Sequence, residues 1–278
     1  EDLASPRARP AAGLAELRAV CKEFSPERVA PAIGIEAPVV RELARDLART
    51  ERAAVYSRVG VCQNEFGPVA SWLVEALNWI TGHFDREGGL LFPTAAADVA
   101  PLGRALLGNR WGRWRSRVRG LPEFLGALPS ATMAEEMETP GDGQIRALVC
   151  VAGNPVSSTP NGPRLARALE KLDFVVGVDF YVNETTRHAH VLLPPKHVFE
   201  TGSYDLVLSR FSTRNVAKYS PPIVQTSDQT RDDWSIACEL AARLRGPYVA
   251  PVRRALLRAT KNVPERLLDV LLRTGPYR

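Results

Sequence analysis

The stretch Arg146–Gly202 decides the fold, and it reads RALVCVAGNPVSSTPNGPRLARALEKLDFVVGVDFYVNETTRHAHVLLPPKHVFETG. Three apolar runs in it are typical of β-strands, namely Leu148–Ala152, Phe174–Val178 and His190–Leu193. Between the first two runs lies a helical pattern, whose apolar side comprises Leu165, Ala168, Leu169 and Leu172. Because the runs are continuous rather than alternating, the fold class predicted is α/β, with a buried parallel sheet.

Polar residues follow the first two strand-like runs. Gly153 and Asn154 come after the first run, and Asp179 comes after the second. In open parallel sheets, ligands bind beyond the carboxyl ends of the strands. A glycine there lets a ligand approach the backbone, and free N–H groups of the following helix favour phosphate. Asp179 is suited to accept hydrogen bonds from a guanine or a ribose, although a role in a turn or helix cap fits it equally well.

The first third of the chain predicts another unit of α/β type. Ser25 is expected to cap a helix that begins at Pro26, and a longer helix is expected from about Pro38. Residues Ala53–Tyr56 are predicted to form a short strand. The segment SRVGVCQNEFG is predicted to be a loop, and the next helix is expected to begin at Pro68.

The chain beyond Gly202 has a weaker pattern. Short strands are predicted at Val207–Phe211 and Val216–Tyr219, and a helix is predicted after Asp232. The apolar side of that helix is expected to comprise Trp234, Ala237, Ala241 and Leu244. The predicted domains are residues 1–130, an α/β segment with a Gly/Gln loop and an arginine-rich loop; residues 131–246, an α/β ligand-binding domain; and residues 247–278, a helical tail with two short helical patterns.

Composition narrows the class of protein. The hydrophobic fraction of 45% and the charged fraction of 24% are ordinary for a soluble globular protein, and no apolar run reaches the length of a membrane span. The formal net charge of +5 favours anionic ligands. The cysteines are dispersed without a CxxC pair, which excludes a zinc ribbon and an iron–sulfur ligand set in this chain. We expect reduced thiols and a cytoplasmic location.

Two further features allow alternative interpretations. Six arginines and two tryptophans lie between Arg104 and Arg119, a combination that grips nucleic acid in some proteins and forms a surface or cofactor-facing loop in others. His188 and His190 would share one side of an extended segment, with His197 nearby. Because no acid or thiol partner has suitable spacing, no metal site is predicted. Because the arginine run is short and the chain only mildly basic, no nucleic-acid partner is predicted.

Three ordered stretches resemble the large catalytic subunits of molybdopterin (molybdenum bis-guanine-dinucleotide) oxidoreductases, the group of formate dehydrogenase, periplasmic-type nitrate reductase and dimethyl sulfoxide reductase. The first is GVCQNEFG leading through LVEALNWITGHFDREGG, and the second is VAGNPVSSTPNGPRLARALEKLDFVVGVDFYVNET. The third, HAHVLLPPKHVFETG, is similar to the family pattern A-D-V-x-L-P-x-x-x-x-x-E-x-x-G. Order and spacing agree across about Ser25 to Leu244.

The resemblance implies Rossmann-like domains that bind a molybdopterin guanine dinucleotide carrying molybdenum or tungsten. By position, it implies that Gly60 and Gln63 approach one pterin nucleotide, while Gly153 and Asn154 lie at its phosphate or ribose. It likewise implies that Asp179 binds the guanine. In the same loop, Asn183 replaces the usual threonine and belongs to the implied cofactor site. A small-molecule substrate and an electron-transfer subunit are the partners implied.

The departures from the family pattern are equally specific. The N-terminal cysteine cluster for a 4Fe–4S centre, the residue that ligates molybdenum and the C-terminal barrel domain have no counterpart, so no catalytic residue is predicted. The Arg-Gly-Gln-Asn-Asn segment is missing, with Arg119-Gly120 as its one candidate remnant, and His190 replaces an aspartate. We therefore expect an incomplete, central fragment of an oxidoreductase. The alternative is a non-catalytic remnant or scaffold that keeps the α/β fold without the metal cofactor.

Overall fold

A computed structural model of the chain describes residues 12–99, 103, 111–224, 230–244, 255, 257–259 and 263–277. The chain divides into two compact units, one up to Pro93 and one from Thr94 onward. The division into residues 1–130, 131–246 and 247–278 stays a prediction, and part of its third segment lies outside the described residues.

The first unit is built from helices. They are Leu14–Lys22 (α1), Pro26–Ile33 (α2), Ala37–Arg49 (α3), Val59–Cys62 (α4) and Gly67–Ile80 (α5). Ser25 caps α2 as predicted, because its hydroxyl accepts the backbone N–H of Arg28 at 3.3 Å. The predicted starts of α3 and α5 are confirmed to within one residue. The prediction of an uninterrupted loop from Ser57 to Gly67 is wrong, since α4 lies within it.

The strand predicted at Ala53–Tyr56 is wrong. These described residues run as an irregular segment, and their partner is a side chain rather than another strand. The amide of Asn78, fully buried in α5, accepts the N–H of Val55 at 2.8 Å and donates to its carbonyl oxygen at 2.8 Å. One asparagine thus satisfies both backbone groups that a neighbouring strand would otherwise bond.

Replacing Asn78 with alanine is expected to destabilise the protein by about 2 kcal/mol, because the partly buried N–H and carbonyl oxygen of Val55 lose their partner. Asn64 offers a matched control, since its amide also makes two backbone hydrogen bonds but lies in water. Urea unfolding of Asn78→Ala and Asn64→Ala measures the difference. Equal losses in the two variants would contradict the assigned role of Asn78.

The second unit contains a parallel sheet. Its strands and helices, in chain order, are Met133–Glu138 (α6), Ala147–Val151 (β1), Pro155–Ser158 (α7), Gly162–Leu169 (α8), Phe174–Val178 (β2), Val191–Leu192 (β3), Ser203–Tyr204 (β4), Tyr219–Ser220 (β5), Asp233–Arg243 (α9) and Pro264–Arg273 (α10). Strands β1, β2 and β3 pair in parallel in that order, which confirms the predicted α/β sheet. Val151 pairs with Val178, so the carboxyl ends of β1 and β2 lie level with each other.

The core of this unit lies on one face of the sheet. It comprises Met137, Leu165, Ala168, Leu169, Leu172 and Val175, which confirms the predicted apolar side of α8. Burying Leu165 and Leu169 stabilises α8 against the sheet by roughly 1.5–3 kcal/mol per side chain. The predicted burial is wrong for β1, where Val149 and Val151 are 54% and 49% exposed. On β2, Val176 and Val178 pair with these two residues and are buried, so the exposure is confined to the β1 side of that face.

The predictions for the end of the chain are confirmed only in part. The segment predicted as a strand at Val207–Phe211 is a 3₁₀ turn over Leu208–Phe211. In the segment predicted as a strand at Val216–Tyr219, Tyr219 begins the two-residue strand β5, which pairs antiparallel with β4. Asp232 caps α9 as expected, its carboxylate accepting the N–H of Ser235 at 2.7 Å. The side of α9 that is buried differs from the predicted one and comprises Ser235, Ile236, Cys238 and Ala242. The first helical pattern of the tail falls largely outside the described residues.

The described residues include no helix with the length and hydropathy needed to span a membrane. All four cysteines lie in the described ranges and are free thiols, with Cys21 and Cys62 exposed and Cys150 and Cys238 buried.

Candidate functional site

The turn after β1 is narrow and fixed. Ala152 adopts a left-handed backbone with φ of 48°, and its N–H donates to the carbonyl oxygen of Val178 at 2.9 Å. Under the turn, the Cys150 thiol donates to the carbonyl oxygen of Gly153 at 3.3 Å. Burial and the nearby Asp179 carboxylate raise the pKa of the Cys150 thiol, so it stays protonated and serves as a hydrogen-bond donor. Gly153 is therefore held at the carboxyl edge of the sheet.

The loop after β2 organises itself around Asp179. One carboxylate oxygen accepts the N–H of Tyr181 at 3.0 Å, and the other accepts the side-chain amide of Asn183 at 3.0 Å. The amide oxygen of Asn183 in turn accepts the N–H groups of Thr185 and Thr186 at 3.0 and 2.9 Å. Asp179 and Asn183, both predicted site residues, are thus in direct contact. A carboxylate accepts about four hydrogen bonds, so capacity remains at Asp179 for a ligand.

The two loops are tied together by Thr185, a fully buried residue that the sequence did not single out. Its hydroxyl donates to the amide oxygen of Asn154 at 2.7 Å and accepts the N–H of Val156 at 3.0 Å. The amide of Asn154 also donates to the carboxylate of Glu184 at 2.5 Å, and this bond lowers the pKa of Glu184. Asn154 and Asp179 therefore belong to one network that holds both strand-end loops in place.

This network corrects the expectation that the helix after β1 offers free N–H groups to phosphate. Helix α7 begins with Pro155, which has no N–H, and the N–H of Val156 is taken by Thr185. The next two N–H groups donate to the carbonyl oxygen of Asn154 at 3.0 Å each. The free donors are in the turn just before α7, where the backbone N–H groups of Gly153 and Asn154 have no partner within the described part of the chain.

Gly153 also leaves room for a ligand. A Cβ built on this residue would have its nearest protein neighbour, the carbonyl oxygen of Val151, at 3.6 Å, which is ordinary contact. The protein itself therefore does not require glycine here. Two free N–H groups beside an open backbone, with a carboxylate on the neighbouring loop, fit a ligand that presents phosphate or ribose oxygens and a base with N–H donors.

In the first unit, Gly60 lies inside α4 and Gln63 immediately follows it. Both residues are exposed, and the N–H of Gln63 donates to the carbonyl oxygen of Gly60 at 3.3 Å. A Cβ at Gly60 would meet nothing within 4 Å, whereas one at Gly67 would collide with the backbone of Cys62. Gly67 is thus needed for the close packing of α4 on α5, and Gly60 is open to a ligand.

The histidines do not share a strand face as the alternative interpretation required. His188 lies in a 3₁₀ turn, and the ring of His190 accepts the N–H of Val175 at 3.0 Å. His197 caps the turn that follows it, with its ring accepting the N–H of Phe199 at 3.3 Å. Within the described ranges, no group of three histidine, cysteine, aspartate or glutamate side chains is placed to bind a metal ion.

The arginine-rich segment is tied to acidic partners. Arg113 pairs with Glu123 at 3.0 Å, a hydrogen bond that lowers the pKa of this glutamate. Arg117 and Arg119 contact the glutamates of α6, and Arg115 donates to a backbone carbonyl. The described arginines are therefore structural, and the nucleic-acid alternative has no support from them; Arg104 and Arg110 lie outside the described residues.

Comparison with known proteins gives a consistent result. A family model described as molybdopterin oxidoreductase matches residues 25–243. The assimilatory nitrate reductase catalytic subunit of Bacillus subtilis (strain 168) is 34% identical over 154 residues, covering 55% of this chain and 21% of that protein. The F420-dependent formate dehydrogenase subunit alpha of Methanocaldococcus jannaschii is 25% identical over 244 residues, covering 84% of this chain and 35% of that protein.

Among solved structures, acetylene hydratase from Pelobacter acetylenicus matches with a TM-score of 0.65 and 19% identity, covering 89% of this chain and 36% of that one. This likeness concerns the fold alone. The chain spans between about a fifth and about a third of the length of the curated relatives named above.

Proposed function

Because the chain belongs to the molybdopterin oxidoreductase family, we propose that it supplies part of the cofactor-binding core of a molybdopterin-dependent oxidoreductase. The observation that carries this proposal is the pair of tied loops at the carboxyl ends of β1 and β2. Free N–H groups on Gly153 and Asn154 lie on one loop, and the carboxylate of Asp179 lies on the other. This is the edge of a parallel sheet at which ligands bind.

Each residue has a specific task in the proposed site. The N–H groups of Gly153 and Asn154 donate to phosphate or ribose oxygens, and Asp179 accepts from the N–H groups of a guanine. Asn183 and Thr185 hold the loops so that little ordering is needed when the cofactor binds. Gly60 and Gln63 are proposed to contact a pterin nucleotide from the first unit. The proposed ligand, which follows from family membership, is a molybdopterin guanine dinucleotide with molybdenum or tungsten.

The complete protein is proposed to catalyse two-electron redox chemistry of a small substrate, in the manner of a formate dehydrogenase or nitrate reductase. The metal would supply the centre that exchanges two electrons with the substrate when the cofactor is bound. Electrons would move between the metal and a 4Fe–4S cluster held outside this chain, and between that cluster and an electron-transfer subunit, away from the metal for an oxidised substrate and toward it for a reduced one. The residues described here bind and orient the cofactor, and the metal-ligating residue is expected in another part of the protein.

The role of Asp179 can be tested by its replacement with alanine. We expect Asp179→Ala to lower the pterin retained by the purified full-length protein about tenfold or more, because hydrogen bonds to a charged acceptor are worth roughly 1.5–3 kcal/mol each. Pterin is quantified by fluorescence after oxidation, and metal by mass spectrometry.

Asp173 provides the matched control, since it precedes β2 whereas Asp179 follows it, and its carboxylate forms an exposed ion pair with Arg146 at 2.6 Å. Asp173→Ala should retain pterin as the wild type does. If Asp179→Ala also retains it, while the wild type is loaded, Asp179 does not bind the cofactor.

A further inference from the structure

Two exposed aromatic side chains follow Asp179 directly. Phe180 is 48% exposed and Tyr181 is 67% exposed, at the edge of the sheet where the proposed ligand binds. Their rings lie 4.8 Å apart and meet edge to face at 67°. Two adjacent exposed rings bordered by a hydrogen-bonding carboxylate form a contiguous apolar patch with a polar rim, which fits a surface that a flat ligand covers.

The aromatic pair is fixed by its surroundings. The ring of Phe180 lies 5.4 Å from that of His197. The backbone of His197 is itself held, since its N–H donates to the carboxylate of Glu200 at 2.8 Å. The backbone of Tyr181 is bonded on both sides: its N–H donates to Asp179 and its carbonyl oxygen accepts the hydroxyl of Thr186 at 3.1 Å. The Phe180 ring is thus held between two other rings and the backbone of Tyr181 is already ordered, which lowers the entropy lost on binding.

The chemistry of this corner fits one class of base. Purine rings stack on aromatic side chains, and this contact carries no preference between bases. Preference comes from the base edge: guanine presents two adjacent N–H donors that a carboxylate accepts, whereas adenine presents a ring-nitrogen acceptor at the same place. We propose that Tyr181, backed by Phe180, is the stacking surface for a guanine base whose N–H groups face Asp179. The inference rests on the proposed function and adds to it the residues that hold the base.

The test compares Tyr181→Ala with the conservative variant Tyr181→Phe in the full-length protein. Two quantities are measured: guanine nucleotide released per pterin-loaded protein, and the affinity of the cofactor-free protein for GMP and for AMP by equilibrium dialysis. We expect Tyr181→Ala to weaken GMP binding by about five- to a hundredfold and Tyr181→Phe by less than about threefold, because the ring rather than the hydroxyl makes the contact. GMP should bind more tightly than AMP in the wild type.

Phe211 is the control, since it is 78% exposed in a different turn of the same unit, and Phe211→Ala should leave GMP binding unchanged. Thermal unfolding checks that all variants fold. If the wild type holds pterin and binds GMP, and Tyr181→Ala does so equally well, the stacking role is overturned. A wild type that holds no pterin and binds no GMP overturns the proposed function itself.

Discussion

Replacing Gly153 with alanine is expected to remove most of the bound pterin while leaving the protein folded. The Cβ of the variant has its nearest protein neighbour at 3.6 Å, so the fold does not oppose the change. A cofactor that approaches the backbone N–H groups of Gly153 and Asn154 would meet the added methyl group. Losing one hydrogen bond to a charged phosphate costs roughly 1.5–3 kcal/mol, which corresponds to a loss of about tenfold or more in pterin content.

Gly162→Ala is the informative contrast to Gly153→Ala. A Cβ on Gly162 would collide with the backbone carbonyl oxygen of Val156, so this variant should lose thermal stability and pterin together. Gly153→Ala should lose pterin alone, with an unfolding temperature close to that of the wild type. Full pterin content in Gly153→Ala would show that no ligand approaches this backbone.

Replacing Glu136 with alanine is expected to destabilise the protein by about 3 kcal/mol, the low end for breaking a buried ion pair, since Arg117 keeps some contact with water. The Glu136 side chain is 5% exposed, accepts the N–H of Val118 at 2.9 Å and pairs with Arg117 at 3.5 Å. Without it, the partly buried N–H of Val118 loses its acceptor and the partly buried guanidinium of Arg117 loses its counter-ion. Urea unfolding at neutral pH measures the loss, and Glu136→Gln should recover part of it because the bond to Val118 can be kept.

The exposed pair of Arg146 and Asp173 serves as the control for Glu136. Both side chains are in water, so Asp173→Ala should cost less than about 1 kcal/mol. If Glu136→Ala costs no more than Asp173→Ala, the arginine-rich segment is not anchored through Glu136. That result would reopen the question of what those arginines bind.

The sequence predicts the parts of this fold that have a periodic pattern. The apolar side of α8 repeats at helical spacing, and β1 and β2 are continuous apolar runs, so their existence and their parallel pairing follow from sequence. The family resemblance, read from three ordered motifs, is confirmed by the family model over residues 25–243.

Two of the features that the sequence does not predict depend on side-chain contacts between residues distant along the chain. The side chain of Asn78 makes the two hydrogen bonds to Val55 that a neighbouring strand would make, which is why the strand predicted at Ala53–Tyr56 is wrong. This arrangement leaves no periodic pattern in the sequence. The pairing of Arg117 with Glu136 joins residues 19 positions apart along the chain, which composition alone interprets as a free basic segment. Both contacts depend on tertiary structure, so local patterns could not predict them.

The sequence predicts that the residues after β1 and β2 lie at one edge of the sheet, but not how the two loops are joined. Gly153, Asn154, Asp179 and Asn183 do lie on two adjoining loops, as residues that follow neighbouring parallel strands must. Thr185 went unnoticed because a threonine in a polar loop is common. Its burial and its bonds to Asn154 and Val156 appear only when the two loops meet. The roles of these residues toward a ligand stay predictions.

The metal and pterin content of the full-length protein tests the central claim most directly. The protein is purified after expression with molybdate and tungstate, and molybdenum, tungsten, pterin and guanine nucleotide are quantified per polypeptide. We expect molybdenum or tungsten to be present together with pterin and guanine nucleotide. A folded protein that holds neither metal nor pterin under these conditions would contradict the account and favour a non-catalytic scaffold.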